Sequence, residues 1–118
     1  MRQYTTSDQT AKLIELGFEK PKRTFTFKLI EYNDVKTDID IPVSNYSMGE
    51  LVSFLPPSLP IAPYNPPLSI NYDNVWHIYY GVQEEYSWET TIWVESKRKE
   101  FIDAVYDMII RLKKKELI

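Results

Sequence analysis

His77 is the only histidine in this 118-residue chain, and there is no cysteine. Those two counts exclude disulfides, thiolate zinc sites, cysteine nucleophiles and multi-histidine metal centres. One route to acid–base chemistry is left. If His77 lies across a strand pair from Glu89, imidazole and carboxylate form a couple that can hold and move a proton. The same geometry is also an ordinary cross-strand contact, and that is the reading adopted. Glu84 and Glu85 fall in an expected turn, where solvation explains them. Asp103 and Asp107 stand four residues apart on the outer face of an expected helix and read as solubilising charges. Gly17, Gly49 and Gly81 are the only glycines. They build neither a phosphate-cradling loop nor a dinucleotide fingerprint. No catalytic, cofactor-binding or metal-ligating residue is assigned, and no cofactor is expected.

Binding chemistry is better represented. Six of the eight prolines lie between Pro56 and Pro67. Pro57, Pro60, Pro63 and Pro66 recur at the three-residue period of polyproline II, the form taken by ligands of aromatic-lined grooves. Such ligands usually carry a flanking cation, yet no Lys or Arg occurs between Lys36 and Lys97. A stiff connection packed on the domain through Leu59, Ile61 and Tyr64 is the preferred reading. The nine tyrosines and three tryptophans exceed what a two-layer core needs. Strand faces left open by helices would carry Tyr72, Tyr79 and Trp93. With Tyr64 they make the candidate interaction surface.

The formal net charge is only −3, but its distribution is uneven. The stretch between Lys36 and Lys97 holds eight acids and no base, while the flanks hold fourteen bases against nine acids. An anionic middle repels phosphate backbones, so direct nucleic-acid binding is not expected. Negative sheet and positive helices offsetting one another is the simplest account. The N-terminal residues contain no apolar signal core, and no stretch nears the roughly 18 apolar residues of a membrane span. The expected location is cytoplasmic.

Local signals organise these residues into elements. Thr6 and Gln9 spell a capping box for a helix over 7–16, closed by Gly17 with Phe18 folding back on Leu13. Thr24–Glu31 and Val35–Ile41 alternate as a hairpin. One-sided burial requires Phe27 opposite Ile39, Phe25 opposite Ile41 and a three-residue loop at Tyr32-Asn33-Asp34. Ser47 and Glu50 cap a second, short helix that Pro56 ends. Leu68–Tyr72, Val75–Tyr80 and Tyr86–Val94 are the next strands, with Gly81–Glu85 joining the last two. Trp76, Ile78 and Tyr80 would then face inward with Trp88, Thr90 and Ile92. Ser96 caps a final helix over 97–115, in whose first turn Lys97, Arg98 and Lys99 would oppose the helix dipole.

The elements run α-β-β-α-β-β(β)-α. They predict one α+β domain over 1–118, with 56–67 as a proline-rich connection inside it. Its sheet is mostly antiparallel, of four to five strands, with three helices chiefly on one face.

Three stretches carry a resemblance: Thr6–Phe18 (TSDQTAKLIELGF), Tyr46–Pro56 (YSMGELVSFLP) and Phe101–Ile110 (FIDAVYDMII). Their order and spacing resemble a family of short uncharacterised proteins from prophages and other mobile elements of anaerobic gut bacteria. The resemblance implies a phage or mobile-element origin. It rests on caps and helix faces, so it transfers no functional residue. The resulting expectation is a small non-enzymatic accessory protein that binds another protein through its aromatic, acidic sheet. The alternatives are an acidic inhibitor or nucleic-acid mimic aimed at a host enzyme, and an enzyme centred on His77. An unpaired sheet edge would also permit a homodimer.

Overall fold

The computed structural model describes residues 2–21, 23–30, 36–43, 45–83 and 89–118, and of 23–43 the backbone alone. The protein is α+β; the described residues form a three-stranded antiparallel sheet, a separate two-stranded one and three helices. Two compact units result. One runs from Thr6 to Tyr46; the other joins the segment before Thr6 to everything from Ser47 onward.

In the first unit, α1 (Ser7–Glu15) begins as its capping box dictates. Gln9 N–H donates to Thr6 Oγ1 at 3.2 Å, and Thr6 N–H to Gln9 Oε1 at 3.0 Å. Gly17, at φ +99°, ends it. Gly17 N–H donates to the Ile14 carbonyl and Phe18 N–H to that of Leu13, which completes a Schellman motif. Strands β1 (Arg23–Ile30) and β2 (Lys36–Val43) pair antiparallel, with Phe27 opposite Ile39 and Phe25 opposite Ile41. That is the register one-sided burial demands. The expected loop at 32–34 lies outside the described residues.

The second unit starts with α2 (Met48–Ser53), whose Ser47–Glu50 capping box is complete. Helices this short depend on docking. Here Leu51 is fully buried and α2 packs on the last helix. Strands β3 (Leu68–Asp73), β4 (Val75–Gln83) and β5 (Thr90–Arg98) follow in spatial order β3-β4-β5. The described strands thus form two sheets, not one of four or five strands. The chain turns from β3 to β4 at Asn74, whose φ of 61° suits asparagine. Helix α3 (Phe101–Lys114) covers β5 and β4, burying Ile102, Val105, Met108, Ile109 and Leu112.

Two expectations fail at the β4–β5 hairpin, for linked reasons. Gly81, Val82 and Gln83 belong to β4 and do not form a connection. Strand β5 runs on through Arg98, so Ser96 caps nothing. Its buried hydroxyl instead donates to the Ala104 carbonyl at 2.9 Å, tying β5 to α3. Helix α3 starts four residues later than expected, after Glu100 and with Asp103 in its first turn. Lys97 and Arg98 lie in the strand, and Lys99 precedes the helix, so none of them opposes the dipole from its first turn. Residues Tyr86 to Trp88, expected to open β5, lie outside the described residues.

The proline run does not extend as polyproline II. Ser58 and Pro67 form an antiparallel bridge, and Leu59 N–H donates to the Pro66 carbonyl at 3.0 Å. Asn65 N–H donates to the Ile61 carbonyl at 2.8 Å, and the Ala62–Pro63 bond is cis. Leu59 and Pro66 are buried. Just before the loop, the Pro56 carbonyl accepts from the fully buried Tyr80 hydroxyl at 2.6 Å. Burial pushes the Tyr80 phenol up to about 12. The unfolded chain ionises near the ordinary value of about 10. Stability held below that pH is therefore lost as pH rises from about 10 to about 12. Tyr80→Phe is expected to cost about 1 kcal/mol at neutral pH, by unpairing the carbonyl, and to flatten that alkaline decline. Urea midpoints at both pH values check it.

Candidate functional site

Strand alternation sorts the three-stranded sheet into two faces. The even-numbered residues of β4 meet α3: Ile78 and Tyr80 are buried beneath it, and the Trp76 ring lies 4.9 Å from that of Phe101. The odd-numbered residues form the other face. There His77 stands opposite Asn71 of β3 and Lys97 of β5, and Tyr79 opposite Ser69 and Glu95. His77 Nε2 and Glu95 Oε2 are 2.8 Å apart. The His77 and Tyr79 rings lie 4.7 Å apart, and Asn71 Nδ2 donates to the Tyr79 hydroxyl at 3.3 Å. The result is a polar chain across all three strands with one half-buried tyrosine ring at its centre.

The expected His77–Glu89 pair is not formed. Its premise was a hairpin that closes at residue 86, whereas the observed register pairs Gln83 with Thr90 and Tyr80 with Val94. Between Tyr80 and Gly81 the register slips, since Gly81 pairs with Ile92 and Trp93 is the extra residue. The later closure carries the pairing past Glu89, and the β-bulge, by adding one residue, puts Glu95 on the face of His77 and not on that of Ile78. Sequence reasoning missed Asn71, Glu95 and Lys97. Carrying β5 through the basic residues after Ser96 would have exposed the last two, because period-two alternation then puts Glu95 and Lys97 on the face of His77; Asn71 comes from the pairing of β3 with β4.

The four candidate contact residues fall at three places. Tyr64, in the proline loop, is 62% exposed, and its ring lies 5.5 Å from that of Trp93 at the bulge. Tyr79 is on the polar face just described. Tyr72 of β3, also 62% exposed, has its ring 4.8 Å from that of Trp76, tilted by 46°, and belongs to the α3 side of the sheet. Tyr64 and Trp93 are brought together; Tyr72 and Tyr79 are on opposite faces.

Depressions occur elsewhere. One of about 320 Å³ is lined by Thr10, Ile14, Lys20 and Asn45, and one of about 340 Å³ by Asp107, Ile110, Arg111 and Lys114. Neither includes His77. Among the described residues no cluster of three or more His, Asp or Glu side chains could hold a metal ion. No described helix is long and apolar enough to cross a membrane. Comparison with protein-family models, curated proteins and solved structures found no match to this chain.

Proposed function

We propose that the protein is a small non-enzymatic accessory protein, of phage or mobile-element origin, that works by binding another protein. The observation that carries this reading is the set of aromatic rings that α3 leaves uncovered: Tyr64 with Trp93 at the bulge, Tyr79 among Asn71, His77 and Glu95, and Tyr72 at the edge. Aromatic rings with a polar rim are the composition of protein contact surfaces. The origin rests on the resemblance in the helix caps and faces, and a phage or mobile-element accessory protein would work in the host cytoplasm.

The acidic-mimic reading fits less well. Asp107 is held by Arg98 at 3.3 Å and by Arg111 at 2.9 Å, and Asp103 pairs with Arg2. These carboxylates are neutralised within the fold and do not present a phosphate-like array. An enzymatic reading is less well supported, since among the described residues His77 and Glu95 sit on a sheet face and line neither depression.

The test is capture from host lysate on the immobilised wild type, beside the Tyr79→Ala, Trp93→Ala double variant. A protein retained by the wild type and lost by the folded variant is the expected result. Equal retention on both baits would remove these two rings from the contact surface.

A further inference from the structure

Strands β3 and β5 are the two outer strands of their sheet, and neither outer edge faces a further strand among the described residues. At β3 only the first residue is covered, where Leu68 N–H donates to the Pro57 carbonyl at 2.9 Å, and Ser69–Asp73 carry none of the residue types that usually guard an edge against pairing. Leu68-Ser69-Ile70-Asn71-Tyr72-Asp73 contains no Lys, Arg, Pro or Gly. Edge β5, by contrast, is kinked by the bulge at Trp93 and studded with Glu95, Lys97 and Arg98. Helix α3 covers β5 and β4 and stops short of β3. On the α3 side of the sheet, Ile70 is therefore left 39% exposed and Tyr72 62% exposed, next to the half-buried Trp76. Open backbone and open apolar side chains coincide on one strand.

We infer that the β3 edge pairs with β3 of a second copy of this chain, antiparallel and about a two-fold axis at Asn71. That register sets Ile70 opposite Tyr72 of the second copy, and Tyr72 opposite its Ile70, on the α3 side of both sheets. Both apolar strips then merge across the axis into one. Asp73, the only charged side chain of the strand, faces the Ser69 hydroxyl of the other copy, an acceptor meeting a donor. No like charges meet, which is what distinguishes a second copy from an arbitrary acidic strand at this edge. The same five residues, Ser69–Asp73, supply both sides, as an isologous contact requires. The product is a continuous six-stranded antiparallel sheet with the bulged, charged β5 strands at its two ends. The inference draws Asn71 and Tyr72 from the proposed contact surface and leaves Tyr64, Tyr79 and Trp93 outside the seam, so loss of a partner on the Tyr79→Ala, Trp93→Ala variant and loss of the dimer on the edge variant are read separately.

Sedimentation velocity over a concentration series tests it, with Ile70→Lys, Tyr72→Lys as the edge variant and Ile92→Lys as the control on β5. Wild type and control should move from monomer to dimer as concentration rises, while the edge variant stays monomeric with an unchanged circular dichroism spectrum. Amide exchange of the wild type supplies a readout that does not depend on a variant folding: residues 69–73 should slow with concentration and β5 should not. A wild type monomeric throughout, or a dimer that survives the edge variant, overturns the inference. So does slowing confined to β5, or protection of β3 only by a different protein.

Discussion

Replacing Gly81 with alanine is expected to destabilise the protein by roughly 1–3 kcal/mol, the range for forcing extra atoms into a filled space. A Cβ at this position would stand 2.7 Å from the Thr91 carbonyl oxygen. The obstacle is backbone, so no side-chain rotation relieves it. It would also lie 3.3 Å from Thr90 Cγ2 and from the Tyr79 ring. Gly81 sits where the β4–β5 register slips, so the chain must either open that ladder or move the bulge. Moving the bulge displaces Trp93 from Tyr64, and tryptophan fluorescence reports it alongside the urea midpoint. Gly49→Ala is the matched control. Its Cβ meets nothing nearer than Ser47 Oγ at 4.0 Å, within a helical turn, and stability should stay level or rise slightly. Equal effects at the two glycines would mean that the bulge does not need its glycine.

That bulge also marks the limit of what was legible in the sequence. Most features written in short-range chemistry are present in the structure: both capping boxes, the Schellman end at Gly17, and the β1–β2 register with Phe27 opposite Ile39. Each is decided by residues within one turn, or by a single demand for one-sided burial. The β4–β5 pairing is decided over a longer range. Trp93 is one extra residue, and one extra residue exchanges the two faces of everything beyond it. The bulge set Thr90 and Ile92, expected to face inward, opposite Gln83 and Gly81, where both are exposed. Two further errors came from strand ends: closing the hairpin too early carried Glu89 to His77 in place of Glu95, and ending β5 at Val94 read Ser96 as a cap when it is a buried strand residue bonded to Ala104. The violation at Lys97–Lys99 was the available warning. Three cations in a first helical turn contradict the dipole, and the contradiction disappears once the strand is allowed to continue to Arg98. For the site, the residue types were legible and their grouping was not. Tyr64 and Trp93 meet because a proline loop folds back, which no periodicity encodes.

The charge asymmetry resolves differently from a simple offset between sheet and helices. Among the described residues, Asp103 and Asp107 take Arg2, Arg98 and Arg111, so the basic flanks satisfy acids of their own. Glu95, in the base-free middle, takes His77. The polar sheet face thus keeps one carboxylate and one imidazole in contact, beside Lys97 in the same row of the sheet. A partner surface for it needs hydrogen-bonding groups that match Asn71, Tyr79 and Glu95 more than it needs charge.

Leu59→Ala is expected to cost about 2–5 kcal/mol, the range for truncating a buried leucine. The prediction decides what the proline run is for. A segment that serves as a docking ligand must be free to lie in another protein's groove, and substitutions in it should change stability by no more than about 0.5 kcal/mol. Leu59 is 1% exposed, and its amide is bonded to the Pro66 carbonyl. The run is thus anchored at both ends of its turn, with Tyr80 holding the Pro56 carbonyl just outside it. Freeing it would require breaking that anchorage before any partner contributed binding energy. Tyr64→Ala serves as the comparison within the same loop, because Tyr64 is largely exposed and its loss should leave the urea midpoint nearly unchanged. A large effect at Leu59 with a small one at Tyr64 identifies a rigid platform that holds one aromatic ring outward, beside Trp93. Small effects at both would return the run to the class of free proline-rich ligands, and the contact surface would then have to be sought there.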